Sequence, residues 1–405
     1  MLLRRLRPDE RRIETSEAQT PLVVEPARAQ DGNIASARSY LGSHSAELLR
    51  DLARHGAVLL RGFRVDSARA LEDVVLSIDG LHGMAAMFMS EPGRTRLPQT
   101  QFALHTNSLY KTGGGLMLGG FHNENYYCPD VPRYISFACV VPSWLGGETG
   151  LVNTAALYGD LSETLRQKLE RRPFWASAWR VSDIAARYGL TPGEVEEFCA
   201  EAGFPRRAHN GKQLVMMYKP SVVEHPLTGE RGLQLNLWGE LEELGFAAAV
   251  RKAFRQDYAG LAWAFHRLVW RFPRLEVLDL LGSLHAPKFV LRTLRNRSRR
   301  ERPRPLDDRV STAFSADEID RVARAVRRRF SSFTWKRGDL LIIDNLKMAH
   351  AGMPGYGPRE LAALLCNPLR FPSAADGPGC YAPHEESAET LATQLLRKAP
   401  LQGGR

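Results

Sequence analysis

A histidine and a glutamate two residues apart, His122 and Glu124 around Asn123, and a distant second histidine, His350, are the side chains of this sequence best suited to do chemistry. On an extended segment side chains alternate with period two, so His122 and Glu124 would project from one face and could grip a single ion. A third imidazole from a remote segment completes two histidines and one carboxylate. That facial set suits non-heme Fe(II), because it leaves three adjacent positions open for small molecules and dioxygen. Open positions point to catalysis rather than to a structural metal. An isolated His-x-Glu arises readily by chance in a chain with 11 histidines and 45 acidic residues, so its surroundings must decide.

The chain has 405 residues, of which 44% are hydrophobic, enough for a substantial core. Residues 1 to about 40 are polar, basic and weakly periodic, and are expected to be a partly ordered lead-in. Ser45 to His55 has helical spacing closed by Gly56, Ala57 to Leu60 reads as a buried strand, and Asp66 to Ile78 as a second amphipathic helix. From Phe88 to Gly120 turn formers dominate, as in a loop over a site. Tyr134 to Val141 is a strong strand pattern, Gly146-Gly147 a turn and Leu157 to Leu169 a helix. The middle mixes helices (Thr191 to Ala202, Asp257 to Phe272) with strands near Leu214 to Tyr218 and Gly232 to Leu237, a turn at His225 to Gly229 lying between the strands. Ser315 to Phe330 opens with a capping-box pattern and continues as a basic helix. Phe333 to Lys336 and Leu340 to Asp344 read as paired strands delivering His350, followed by a strand at Leu361 to Leu365 and a helix from Glu385 to Arg397.

Strands before and after a helical middle, with the candidate ligands split between them, predict an α+β chain built on a double-stranded β-helix, or jelly roll, with flanking helices. The expected organisation is a lead-in over 1–40, one domain over 41–372 with a helical insertion at about 174–330, and a tail over 373–405. The segments Gly56 to Phe63, Phe121 to Glu124, Gly146-Gly147-Glu148-Thr149, His225 to Gly229, and Gly338 to Leu341 through Asp344-Asn345 to His350 occur together in one order. In these the chain resembles the taurine dioxygenase and clavaminate synthase-like family (TauD/TfdA) of Fe(II)- and 2-oxoglutarate-dependent oxygenases, particularly the branch acting on amino acids in natural-product pathways. The resemblance covers roughly residues 45 to 370.

The resemblance implies that His122, Glu124 and His350 hold Fe(II), that 2-oxoglutarate is the cosubstrate and that O2 is the oxidant. It also implies that Thr149 helps hold 2-oxoglutarate, with an arginine after His350 taking its far carboxylate through a bidentate fork. Arg359 is the first choice and Arg370 the alternative. Glutamate as the third ligand, where the broad family mostly has aspartate, matches the amino-acid-hydroxylating branch and argues against halogenating relatives, which have a small residue there. Asn345 or Asp344 would support the ligands. Asn107, Tyr126, Asn236 and Trp238 are candidates for the substrate pocket, whereas His105, His209, His225, His285 and His384 read as ordinary histidines.

The net charge of +10 concentrates in Arg292 to Arg304 and Arg321 to Arg329, without a nucleic-acid fold signature. These arginines are either a solvated surface or a docking patch for an acidic carrier protein presenting an amino-acid-like substrate. No nucleic-acid partner or membrane is expected. The start, Met1 to Pro8, lacks the continuous apolar stretch of a secretory leader, so the expected compartment is the cytoplasm. Five cysteines in no paired motif read as reduced, buried thiols. Competing outcomes at the same iron are desaturation, cyclisation or epimerisation. Two other readings are a non-catalytic binding protein on this fold, and a zinc hydrolase, which lacks an evident general base.

Overall fold

The strand Ala57–Leu60 is covered on both faces. Ala57 and Leu59 belong to one buried cluster, Val58 and Leu60 to another, which is why the run is apolar throughout rather than alternating. Leu340–Asp344 pairs with it and divides the same way, Leu341 and Ile343 to one side, Leu340 and Ile342 to the other. The computed structural model describes residues 1–15, 20–85, 88, 96–106, 118, 120–170, 175–209, 211–235, 245–271, 314–370 and 389–398. Seven strands form the larger sheet in the order Leu2–Arg4, Leu22–Glu25, Ala57–Leu60, Leu340–Asp344, Asp130–Val141, Glu360–Arg370 and Leu104–His105. Every neighbouring pair is antiparallel except Leu22–Glu25 against Ala57–Leu60. The helices Ile34–Ser43, Ser45–His55 and Ala68–Val75 cover its outer face.

A smaller sheet faces the inner side. It consists of Phe330–Ser331, Thr149–Asn153 and Met348–Gly352 in that order, and a bridge between His122 and His350 extends it. Leu151 and Met348 lie in the cluster between the two sheets. Val152, Ala349 and Ala351 point the opposite way, into a layer built from Thr154–Gly159, Glu163–Glu170, Phe246–Ala253 and Ala316–Arg328. Two facing sheets with helices on both outsides make the expected double-stranded β-helix with flanking helices. Alternation then fixes the direction of the candidate ligand. With Ala349 and Ala351 turned to the helices, His350 must face the space between the sheets.

Beyond this frame, Trp175–Arg180, Lys212–Lys219 and Arg206–His209 form a three-stranded sheet. Helices Val181–Tyr188 and Pro192–Glu201 share a core with it and with the helix Leu391–Lys398. Val222–Glu224 and Arg231–Leu233 make a hairpin, and its turn is the His225 to Gly229 segment, closed by the Gly229 N–H on the His225 carbonyl at 2.8 Å.

Several expectations are corrected. Residues of the N-terminal segment form two strands of the larger sheet and bury Leu6, Ile13, Val23 and Val24, so the segment is an integral layer rather than a loose lead-in. Leu157 to Leu169 is not one helix. The chain breaks after Thr154–Gly159, and the Ser162 hydroxyl accepts the Leu165 N–H at the start of Glu163–Glu170. Phe333 to Lys336 joins no ladder, because its backbone is taken by the N-terminal segment, the Thr334 N–H donating to the Glu10 carbonyl at 2.8 Å. The strand expected there is Phe330–Ser331 instead. The basic helix is largely neutralised within the chain. Arg321 pairs with Asp317, Arg327 with Asp257, and Arg328 and Arg329 with Asp160.

Cys139, Cys199 and Cys366 are free, buried thiols, Cys128 is buried with its Sγ 3.1 Å from the Phe88 carbonyl, and Cys380 lies outside the described residues. Burial pushes the Cys139 thiol up to about 12. Among the described residues, no helix is long and apolar enough to cross a membrane.

Candidate active site

His122 reaches the site through backbone, not through strand alternation. Its N–H donates to the His350 carbonyl at 3.0 Å and its carbonyl accepts the His350 N–H at 2.9 Å. Directly afterwards the chain turns, with Asn125 at φ 51°, a left-handed conformation that asparagine tolerates. The expected extended His-x-Glu is thus a single bridge followed by a turn. The donor atoms converge all the same. The Glu124 Oε2 lies 3.6 Å from His122 Nε2 and 3.5 Å from His350 Nε2, and the donor atoms all lie within 4.8 Å of one another. Ligands held at about 2.1 Å from one ion at right angles would stand roughly 3 Å apart, so a small inward movement closes the set on a metal. Among the described residues this is the only such group of three.

The His122 imidazole is oriented for that role. His122 Nδ1 sits 2.8 Å from the Gly120 carbonyl, which places its proton on Nδ1 and leaves Nε2 as the ligand lone pair. Phe137, on the inner face of the larger sheet, packs against the His350 ring with centroids 5.4 Å apart. Glu124 and His350 are 2% and 6% exposed at their side chains, His122 25%, so the cluster is walled on the Glu124 and His350 sides and opens past His122.

Two asparagines hold the ligand loop. The Asn345 Oδ1 accepts the Glu124 N–H at 2.6 Å, while its amide donates to the Glu124 carbonyl at 3.0 Å and to the Pro132 carbonyl at 2.7 Å. Asn123 donates to the Asn345 and Met348 carbonyls and accepts the Leu235 N–H. Asp344 has a different task. It accepts the Leu346 and Lys347 N–H groups and the Nε2 proton of His225, whose Nδ1 is occupied by the Leu227 and Thr228 N–H groups. His225 is therefore structural, as expected, and Asp344 shapes the turn before the His350 strand.

Thr149 lies opposite Gly352 in register, two residues along from the Leu151–His350 pair, so it faces the same interior as His350. Its hydroxyl accepts from Arg359 Nη2 at 3.2 Å and from Trp335 Nε1 at 3.3 Å. The turn before it depends on glycine. Gly147 has φ +68°, and a Cβ there would fall 2.2 Å from Ser143 Oγ and 3.4 Å from Arg359 Cδ. Arg370 is placed elsewhere. It closes the long strand Glu360–Arg370, with Nε 3.6 Å from Asp130 Oδ1 and Nη2 on the Glu389 carbonyl. At about 3.3 Å per residue it stands roughly 35 Å from Arg359 along the strand. Of the two candidate arginines, only Arg359 meets Thr149.

Tyr126 is 1% exposed and donates to the Pro220 carbonyl at 2.6 Å, which makes it core rather than pocket lining. Asn107, Asn236, Trp238, His285 and His384 lie outside the described residues, while His105 and His209, on the strands Leu104–His105 and Arg206–His209, are not members of the His122, Glu124 and His350 group. Sequence reasoning missed Trp335, Phe137, Asn123 and the pairing of half-buried Arg12 with buried Glu148. The Phe-Thr-Trp alternation ahead of Gly338 was the available sign for Trp335. Nothing local marks Arg12.

Residues 18–365 match the family model described as taurine catabolism dioxygenase TauD, TfdA family. A clavaminate synthase-like protein of Arabidopsis thaliana is 23% identical over 324 residues, which span 78% of this chain and 82% of that protein. Among solved structures, PvcB of Pseudomonas aeruginosa is 16% identical with a TM-score of 0.45, covering 89% of this chain and 92% of its own. A taurine dioxygenase from Burkholderia xenovorans is 13% identical with a TM-score of 0.39, covering 81% and 83%. With the family model spanning most of its length, this chain belongs to the TauD/TfdA family and is an Fe(II)- and 2-oxoglutarate-dependent dioxygenase.

Proposed function

We propose that the enzyme hydroxylates an unactivated C–H bond of an amino acid or amino-acid-derived substrate, free or carrier-bound, in natural-product biosynthesis. The observation that carries this reading is the complete donor set His122, Glu124 and His350. A carboxylate in the third position favours hydroxylation over halogenation, which requires that position for halide. Bound Fe(II) and 2-oxoglutarate supply the oxidation of a C–H bond by O2, coupled to decarboxylation of 2-oxoglutarate to succinate and CO2. The remaining work belongs to the protein's own side chains.

His122, Glu124 and His350 would hold the metal on one face. Thr149 and the Arg359 guanidinium would take the far carboxylate of 2-oxoglutarate. The spacing supports this, since two residues along a strand is about 6.6 Å, a distance suited to a five-carbon diacid reaching from the metal level to Thr149. Phe137 and Trp335 would keep water from that space, and substrate would approach on the more open His122 side. Docking of an acidic carrier through Arg321 to Arg329 would have to break the pairs with Asp160, Asp257 and Asp317. The other basic stretch, Arg292 to Arg304, lies outside the described residues.

The test is a panel of free L-amino acids and their carrier-bound thioesters, incubated with enzyme, Fe(II), 2-oxoglutarate and O2, with succinate and product mass measured. One succinate per product bearing one additional oxygen is expected. A product lacking two hydrogens would replace hydroxylation with desaturation. Succinate formation that no member of the panel stimulates would remove the amino-acid reading.

A further inference from the structure

Arg12 comes from the N-terminal segment, yet it is fixed beside the cosubstrate pocket. Its Nε stands 2.5 Å from Glu148 Oε1, and its Nη1 donates to the Asp257 carbonyl at 3.2 Å. The guanidinium lies over the rings of Tyr258 and Trp263, at 4.4 and 5.0 Å from their centroids. Trp263 in turn packs against the Gly146-Gly147 turn, where a Cβ on Gly146 would fall 2.7 Å from its ring. Glu148 is 1% exposed, and its ion pair among the described residues is with Arg12. It directly precedes Thr149, whose hydroxyl receives Arg359.

The charges therefore alternate through the interior: Arg12 positive, Glu148 negative, Arg359 positive. A Cβ on Gly147, the residue before Glu148, would fall 3.4 Å from Arg359 Cδ, and the hydroxyl of Thr149, the residue after it, accepts from Arg359 Nη2 at 3.2 Å, so Arg359 lies along the backbone on both sides of Glu148. Burial raises the Glu148 carboxyl, and both guanidinium groups pull it back. A buried carboxylate next to a guanidinium competes for it with any incoming anion, and the competition is strong where water is excluded. We propose that Arg12 is a positioning residue for cosubstrate binding: by neutralising Glu148 it keeps Arg359 available to the far carboxylate of 2-oxoglutarate. The proposal rests on the reading that Arg359 receives that carboxylate.

The experiment is anaerobic calorimetric titration of the Mn(II)-loaded full chain with 2-oxoglutarate. The proteins are wild type, Arg12→Met, Glu148→Gln, the double variant Arg12→Met/Glu148→Gln, and Arg359→Ala, each checked for folding by thermal unfolding. Arg12→Met is expected to weaken 2-oxoglutarate binding about 10-fold or more, because Glu148 then captures Arg359, and the double variant to return to within about 3-fold of wild type. Recovery in the double variant is what a mere packing role for Arg12 does not produce. Wild-type affinity in Arg12→Met, or equal weakening in the single and double variants, overturns the proposal. Should Arg12→Met fail to fold, Arg12→Gln takes its place with the same expectations. Arg359→Ala must weaken binding whether or not Arg12 matters. If it does not, the assignment of Arg359 to the cosubstrate is what fails.

Discussion

Lys219 closes the strand Lys212–Lys219 with its ammonium inside the protein, fully buried, 5.5 Å from the centroid of the Tyr126 ring and 3.5 Å from the Pro129 carbonyl. Burial drives its pKa down to about 7, and the charges of Cys128 and Asp130 only partly offset this. A lysine with a lowered native pKa binds fewer protons folded than unfolded between about 7 and its ordinary value near 10.5. Folding stability from this group therefore rises with pH across that window. Below it, the cost of burying the charge is at its largest, on the order of 5 kcal/mol as an upper figure. Lys219→Met, which keeps the volume and removes the charge, is expected to raise stability by a few kcal/mol at pH 6 and by little at pH 10. Urea unfolding of both proteins from pH 6 to 10 checks this. Parallel profiles would mean that Lys219 keeps its ordinary pKa in the folded state.

At the scale of elements, the N-terminal segment is held by a buried ion cluster. Glu10, 3% exposed, accepts hydrogen bonds from Arg4 and from Arg61, and Arg61 also pairs with Asp339 at 2.6 Å. Burial alone would raise the Glu10 carboxyl, but Arg4, the Arg7 N–H and Arg61 together hold it well below the ordinary carboxylate range. Its stabilisation is thus fully present above about 4.5 and is lost as pH falls below that value. Glu10→Gln leaves two guanidinium groups short of a partner and is expected to cost roughly 3 kcal/mol at pH 7, with a flatter loss of stability below pH 4.5. Circular dichroism during acid titration measures both. This cluster also shows where sequence reading stops. Ser45–His55 and Ala57–Leu60 were legible because period and capping are local signals. The convergence of His122, Glu124 and His350 was legible because ligand chemistry restricts residue type. Glu10 with Arg61, or Arg12 with Glu148, are pairs 51 and 136 residues apart, and only the folded chain brings such residues together. The segment 1–40 looked loose for the same reason: what ties it to the rest of the fold, the strand Ala57–Leu60, Arg61 and Thr334, is remote in sequence.

For the molecule as a whole, the candidate metal site is where its two remote parts are joined. His122 and Glu124 arrive on a loop clasped by Asn345, whereas His350 arrives on the smaller sheet. Asn345 and Glu124 are 221 residues apart in sequence, so an unfolded chain has no preformed site and an ion binds the folded state preferentially. Linkage then requires stabilisation, about 2.7 kcal/mol when free metal exceeds its Kd 100-fold. Mn(II), which accepts mixed imidazole and carboxylate donors and does not turn over, is expected to raise the Tm of wild type by a few degrees. It should do so far less in Glu124→Ala, where the acidic donor is gone, or in His350→Ala. 2-Oxoglutarate should add a further rise only when Mn(II) is present, because its keto acid end needs the metal even if Thr149 and Arg359 receive the other end. Differential scanning fluorimetry with metal alone, cosubstrate alone and both separates these contributions. A Mn(II) shift of the same size in Glu124→Ala would place the metal elsewhere on the protein. A 2-oxoglutarate shift without metal would mean that Thr149 and Arg359 bind the diacid independently of the triad.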